Sequence, residues 1–144
     1  MKQVGIYIIH TAKQKRVPNA LFIYCMTYRN RPCRYGKGEL EDITQNGLYL
    51  AAIVDALQRM KEPCDIRIHI NTCDYLANMV RQKIPWEWRN NGWKNSKGKW
   101  VADWVKWEKV LELLDTGRHH LSIISEKSHE YTEHLQEQLR NGEI

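Results

Sequence analysis

The sequence predicts an α/β fold, a five-stranded mixed sheet with helices on both faces. Three observations carry that expectation. The first 43 residues hold apolar or β-branched runs separated only by turn residues; longer segments downstream repeat apolar residues at helical spacing; and two short strand-like runs, 64–71 and 119–125, lie between those segments. Three strands, a helix, a strand, helices, a strand and a closing helix describe one sheet covered by helices. No linker, repeat or low-complexity stretch interrupts the chain, so residues 1–144 read as a single domain, long enough to enclose a core.

The elements follow in order. "QVGIYIIHT" (3–11) is apolar and β-branched and is followed by the basic, Pro-containing "AKQKRVPN", a buried strand feeding a loop. "ALFIYCMTYRN" (20–30) is a second strand, and "RPCRYGKGELEDI" (31–43), with its short turn and mixed polarity, a third and more exposed one. Together they make a three-stranded meander. Thr44 and Asn46 are both N-cap types, and "LYLAAIVDALQRM" carries helical periodicity up to Pro63. A fourth strand, "CDIRIHIN" (64–71), ends at Thr72, placed to cap the next helix, "CDYLANMVRQK". "VADWVKWEKVLELLD" (101–115) reads as a helix, "HHLSIIS" (119–125) as a strand, and "SHEYTEHLQEQLRNG" (128–142) as a helix stopped by Gly142.

Charge narrows the partners. A net charge of +5 and a pI near 9.0 favour polyanions, nucleic acid or an acidic membrane. No apolar run approaches the roughly 18 residues of a membrane span. "MKQVGIYIIHTAKQKR" lacks the small-residue cleavage site of a signal peptide. The expected location is cytoplasmic, with no membrane partner. Cys25, Cys33, Cys64 and Cys73 form no Cys-x-x-Cys pair, so reduced and mostly buried thiols are expected. The other arrangement they allow is a zinc site of Cys33, Cys64, Cys73 and a histidine such as His69, for which the spacing is poor.

The most informative stretch is "WEWRNNGWKNSKGKW" (86–100), with four tryptophans, four basic residues and one acid in fifteen positions. A buried strand would not carry four cations, and a solvated loop would not carry four indoles. A partner both flat-faced and negative fits both. All six tryptophans, Trp86, Trp88, Trp93, Trp100, Trp104 and Trp107, fall between residues 86 and 107, as suits one local core supporting a projection. Trp104 and Trp107, three apart on a helix, read as packing.

On these strings the chain resembles ribonuclease H of the bacterial type over nearly its whole length. "ITQNGLYLAAIVDALQRMKEPCDIRIHINTCDYL" is similar to that family's first core helix, fourth strand and following helix. "WEWRNNGWKNSKGKWVADWVKWEKVLELL" is similar to its basic protrusion, a Trp-rich handle that grips a nucleic-acid duplex. The resemblance implies a ribonuclease H-like fold. It also implies that indoles such as Trp86 and Trp93 shape a projecting elbow while Arg89, Lys94, Lys97 and Lys99 face phosphates. Thr44, Gln45 and Asn46 occupy the turn where the family places amides that hydrogen-bond a minor groove and its 2′-hydroxyls. Helix capping, which Asn46 could supply alone, is the plain alternative for that turn.

The chain departs from the family at the centre. Ribonuclease H enzymes hold two divalent cations with four carboxylates, one metal at the attacking water and one at the leaving oxygen, and magnesium wants hard oxygen ligands. The first position falls in "IIHTA", on His10 or Ile9; the second on Leu48; the third on Thr72; the fourth on Gln136 or close to it. None of these is a carboxylate. The family's loop histidine is matched by His129 in a shortened loop, where a surface histidine is the plain reading. Asp74, Glu39, Glu41, Asp42, Glu133 and Glu137 lie nearby in sequence, and His10, Asp74 and His134 make an alternative set for one transition metal; ordinary surface charge is much the better account of them.

The sequence-based expectation is therefore a catalytically degenerate ribonuclease H-like protein, without cofactor, that binds duplex nucleic acid, an RNA/DNA hybrid or double-stranded RNA. One alternative is a ribonuclease H with a rebuilt, weak endonuclease site using magnesium or manganese. Another is a structural module meeting a protein partner.

Overall fold

β1 (Lys2–His10), β2 (Arg16–Tyr28) and β3 (Arg31–Thr44) form the expected antiparallel meander. In the computed structural model, which describes residues 1–142, the chain then crosses back through α1 (Gln45–Leu57), β4 (Cys64–Asn71), α2 (Asp74–Arg81), α3 (Ile84–Asn90), α4 (Trp104–Gly117), β5 (His120–Glu126) and α5 (Thr132–Asn141). Glu143 and Ile144, the last two residues of the predicted 1–144 domain, lie outside the described residues. β4 pairs parallel to β1 and β5 parallel to β4, so the five-stranded mixed sheet runs β3-β2-β1-β4-β5.

Strand alternation sorts side chains onto two faces. Val4, Ile6 and Ile8 of β1 and Ile66, Ile68 and Ile70 of β4 meet Leu48, Leu50, Ala52 and Ile53 of α1 and Trp107, Val110 and Leu111 of α4 in the main core. Each fully buried aliphatic side chain there contributes about 1.5–3 kcal/mol. On the other face Ile9, Ile23 and Cys25 pack under Leu135 of α5. Helices therefore cover both faces. On β3, Gly36 and Gly38 lie opposite Tyr24 and Phe22, whose rings fill the space a Cβ would need.

Several boundaries differ from the sequence reading. β2 starts at Arg16 rather than 20, because Arg16 and Val17 pair with Thr44 and Ile43 while Pro18, lacking an N–H, takes no ladder position. Thr44, not Asn46, caps α1, its hydroxyl accepting from Gly47 N at 2.9 Å. α1 ends at Leu57, well before Pro63. Thr72 does not cap α2: its φ is +46° and its N–H is spent on Glu126 O at 2.7 Å, so α2 begins from Cys73 without a side-chain cap. α3 was not predicted; Pro85 in its first turn pre-sets the helical φ. α4 begins only at Trp104, after a left-handed Asp103, and α5 only at Thr132, beyond a turn held by His129. Gly142, at φ +65°, ends α5 as expected.

Candidate nucleic-acid interface

The projection is a short helix joined to a small hairpin. α3 stops where Gly92 and Trp93 both turn left-handed, and Trp93 N closes on Trp88 O at 2.7 Å. The chain then doubles back through a bridge between Lys94 and Trp100, with Val101 N donating to Trp93 O at 3.0 Å. Asn95 pins the tip, its Oδ1 accepting from Lys97 N at 2.9 Å and Lys99 N at 3.0 Å. A left-handed φ is costly for a residue as bulky as tryptophan. Burial holds it: Trp93 is 5 % exposed in the main core. Trp88 meets Trp107 edge to face at 6.4 Å, and Trp86 packs on the same core with Lys83 Nζ 4.6 Å from its ring.

This scaffold presents Lys94, Lys97 and Lys99, all exposed and, among the described residues, without a carboxylate partner. Arg89 differs from the expectation. Its Nη1 lies 2.6 Å from Asp115 Oδ2 of α4, which ties α3 down and spends its charge on the protein itself. Trp93 is buried and Trp86 half-buried, both packed on the main core.

Asp103, the residue before α4, comes close to the first turn of α1: its Oδ1 lies 3.3 Å from where a Cβ on Gly47 would stand. Each predicted turn residue has a partner within the fold. Thr44 caps the helix, Gln45 Nε2 donates to Ala12 O at 3.2 Å, and Asn46 Oδ1 accepts from the Cys73 thiol at 3.1 Å. The Gln45 and Asn46 amides thus hold the ends of β1 and β4 to α1.

Those strand ends, where the parallel neighbours β1 and β4 diverge, are the usual place for a ligand in such a sheet. Here Tyr49 of α1 closes it. Its hydroxyl donates to Asn71 O at 3.0 Å and accepts from Asn71 N at 3.2 Å. Burial pushes the phenol up to about 12, so it stays neutral. Asn71 Oδ1 accepts from Thr132 Oγ1 at 3.4 Å, and the His10 ring stands edge to face with Tyr49 at 4.9 Å. His10 Nδ1 accepts from Ala12 N at 3.1 Å, and burial lowers its basicity. His129 is 6 % exposed, not the surface histidine expected. Its Nδ1 accepts from Tyr131 N, so the proton is on Nε2, which donates to Ile8 O at 2.9 Å.

No protein-family model matches the chain. The ribonuclease H of Clostridium botulinum (strain Hall) is 35 % identical to it over 140 residues, spanning 93 % of this chain and 89 % of that protein. The chain belongs to the ribonuclease H family. The structure of the foamy viral protease–reverse transcriptase in complex with double-stranded DNA shares its fold with a TM-score of 0.66 at 19 % identity, over 92 % of this chain and 85 % of that one. LC11-RNase H1, solved in complex with an RNA/DNA hybrid, gives 0.64 at 12 % identity over 98 % and 99 %.

With the ribonuclease H fold in hand, the four positions read from the resemblance can be located. Ile9 is buried under α5 and His10 is half-buried against Tyr49. Leu48 is fully buried in the main core, Thr72 holds a left-handed turn, and Gln136 is exposed on α5. Among the described residues no three His, Cys, Asp or Glu side chains come together in a way that could hold a metal ion. The set His10, Asp74 and His134 is accordingly not assembled: His10 faces Tyr49 of α1, while His134 Nε2 is 2.8 Å from Tyr35 Oη on the α5 face. The Cys33, Cys64, Cys73 and His69 set fails too, since Cys64 opens β4 and Cys73 lies past its end. All four cysteines are free, but only Cys25 and Cys64 are buried; Cys33 is exposed. Among the described residues no helix is long and apolar enough to cross a membrane.

Tyr49, Asn71 and Asn95 were missed from the sequence. A tyrosine inside the apolar run "LYLAAIV" was the available signal, since a buried phenol needs a partner.

Proposed function

We propose that this member of the ribonuclease H family is a catalytically inert, single-domain binder of duplex nucleic acid, an RNA/DNA hybrid or double-stranded RNA. The observation that carries the reading is the closed strand end. Two divalent cations require several convergent hard-oxygen anions. The space between β1, β4 and α1 instead holds the neutral Tyr49–Asn71 pair, with Leu48 turned into the core and Ile9 under α5. The residues present do not fit a metal pair, and no hydrolytic step is assigned to them.

The binding half rests on the projection. Lys94, Lys97 and Lys99 sit on a hairpin fixed by Asn95 and braced by Trp93, so three cations reach a phosphate backbone from a preorganised support. A family relative and a solved neighbour carrying an RNA/DNA hybrid support a nucleic-acid partner. Gel-shift titration of hybrid, double-stranded RNA and double-stranded DNA, with labelled strands followed in magnesium or manganese, tests both halves. The expected result is salt-sensitive binding with intact strands. Cleavage that depends on either metal would overturn the inert centre, and failure to bind any duplex at low salt would remove the binding assignment in favour of a protein partner.

A further inference from the structure

We infer that Trp100 and Trp104 form a stacking platform for an unpaired base, so that this protein prefers a duplex that carries a single-stranded extension. The inference deepens the nucleic-acid reading above and rests on it. Four of the six tryptophans are accounted for by packing: Trp93 and Trp107 are buried, and Trp86 and Trp88 lie against the core. Trp104 is also anchored there, but Trp100 is not. It is 55 % exposed and rests on Trp104 instead, ring centroids 4.7 Å apart and planes within 18°.

An indole left in water forgoes the stabilisation that burial would bring. Here it is also held in orientation, stacked on Trp104 and bridged across the hairpin to Lys94, whose Nζ lies over its ring 4.8 Å from the centre, a flexible side chain that a stacking base would displace toward its own phosphate. Lys97 and Lys99 are exposed on the same hairpin. A flat π surface bordered by cations matches the chemistry of a nucleotide, whose base stacks while its phosphates meet ammonium groups. Within a duplex, away from its ends, both faces of each base are covered by its neighbours. The half-exposed indole of Trp100 therefore offers a stacking face to a base outside the helix once Lys94 moves off its ring, next to the duplex that the lysines hold.

The test compares a blunt hybrid with the same hybrid bearing a short single-stranded extension at each of its four strand ends in turn, and with an abasic extension of equal charge. The parent should bind one extended form about tenfold more tightly than the blunt form, within the range of base–aromatic stacking. The abasic extension should recover little of that gain. Trp100→Ala should lose most of the tenfold preference while lowering blunt-hybrid affinity by no more than about twofold; Trp100→Phe should keep part of it. Thermal unfolding checks that both variants are folded. Equal binding of blunt, extended and abasic forms by the parent overturns the platform while leaving duplex binding standing. A loss in Trp100→Ala that is the same for blunt and extended forms overturns it too, because the indole would then only brace the hairpin. No binding of any form by the parent removes the platform together with the duplex reading.

Discussion

His129 illustrates how a single residue sets a pH limit on this fold. Both ring nitrogens are committed to backbone groups, Nδ1 accepting from Tyr131 N and Nε2 donating to Ile8 O, so protonation would break the first bond and bury a charge. Its pKa is lowered from 6.5, chiefly by burial, and those of His10 and His69 are lowered for the same first reason. The sign follows from linkage. Below pH 6.5 the unfolded chain binds more protons than the folded one, so the stability is fully present above pH 6.5 and is lost as pH falls from there toward the folded values. Melting temperature should be level from about pH 7.5 to 6.5 and should decline below that. His129→Gln should start lower, by about 1–3 kcal/mol for the broken bonds, and decline less steeply. A pH series of thermal melts on both proteins checks this; an equal slope in the two would assign the acid limit to other groups. The identity of His129 was plain in the sequence and its surroundings were not, because one of its two ring partners, Ile8 O of β1, is more than a hundred residues away.

At the level of elements, the projection separates charge from support. Removing Lys94, Lys97 or Lys99 singly should weaken binding to every duplex sequence alike and flatten the slope of log affinity against log salt by about one unit at most for each phosphate contact. Arg89→Ala should act otherwise. Its guanidinium is paired with Asp115, so the variant should show a lowered melting temperature and little change in salt slope. Trp93→Ala should cost about 3–5 kcal/mol, since it empties a core position and removes the brace of the left-handed turn. Salt titrations beside thermal melts separate the two classes. Element type was largely legible because it depends on local pattern: the meander, α1, β4, α4 and β5 follow from periodicity and turn residues. The misplacements at Thr72, Asp103 and the start of α5 have a common physical cause. Thr72 and Asp103 have left-handed backbones, and Thr72 N is spent on distant Glu126 O; the start of α5 follows a local turn, Thr132 N to His129 O, that is anchored to β1 through the His129 ring, and no window of sequence displays these anchors. The roles of Gln45 and Asn46 were hidden for the same reason, their partners being Ala12 and Cys73.

For the whole molecule, the question is whether a divalent metal is any part of its folded state. A ligand that binds only the folded protein stabilises it by RT ln(1 + [L]/Kd), about 2.7 kcal/mol when its concentration is a hundred times Kd. In a protein of this size each kcal/mol moves the melting temperature by about 2–4 °C, so a pair of magnesium ions well saturated at about 10 mM would raise it by several degrees. Among the described residues no carboxylate set lies at the strand end between β1 and β4 to receive them; there Tyr49 Oη bonds the Asn71 backbone and Thr132 Oγ1 bonds Asn71 Oδ1. Magnesium or manganese chloride should therefore shift the melting temperature no more than sodium chloride of equal ionic strength. Tyr49→Phe sharpens the experiment. It removes the hydroxyl that satisfies Asn71 and should cost about 1 kcal/mol, because a partly buried backbone donor loses its partner, yet it should create no response to metal. If the parent were instead stabilised by either divalent ion well beyond the sodium control, acids outside the described strand end would have to be its ligands, and the inert reading of this ribonuclease H-like protein would give way to one with a rebuilt metal site.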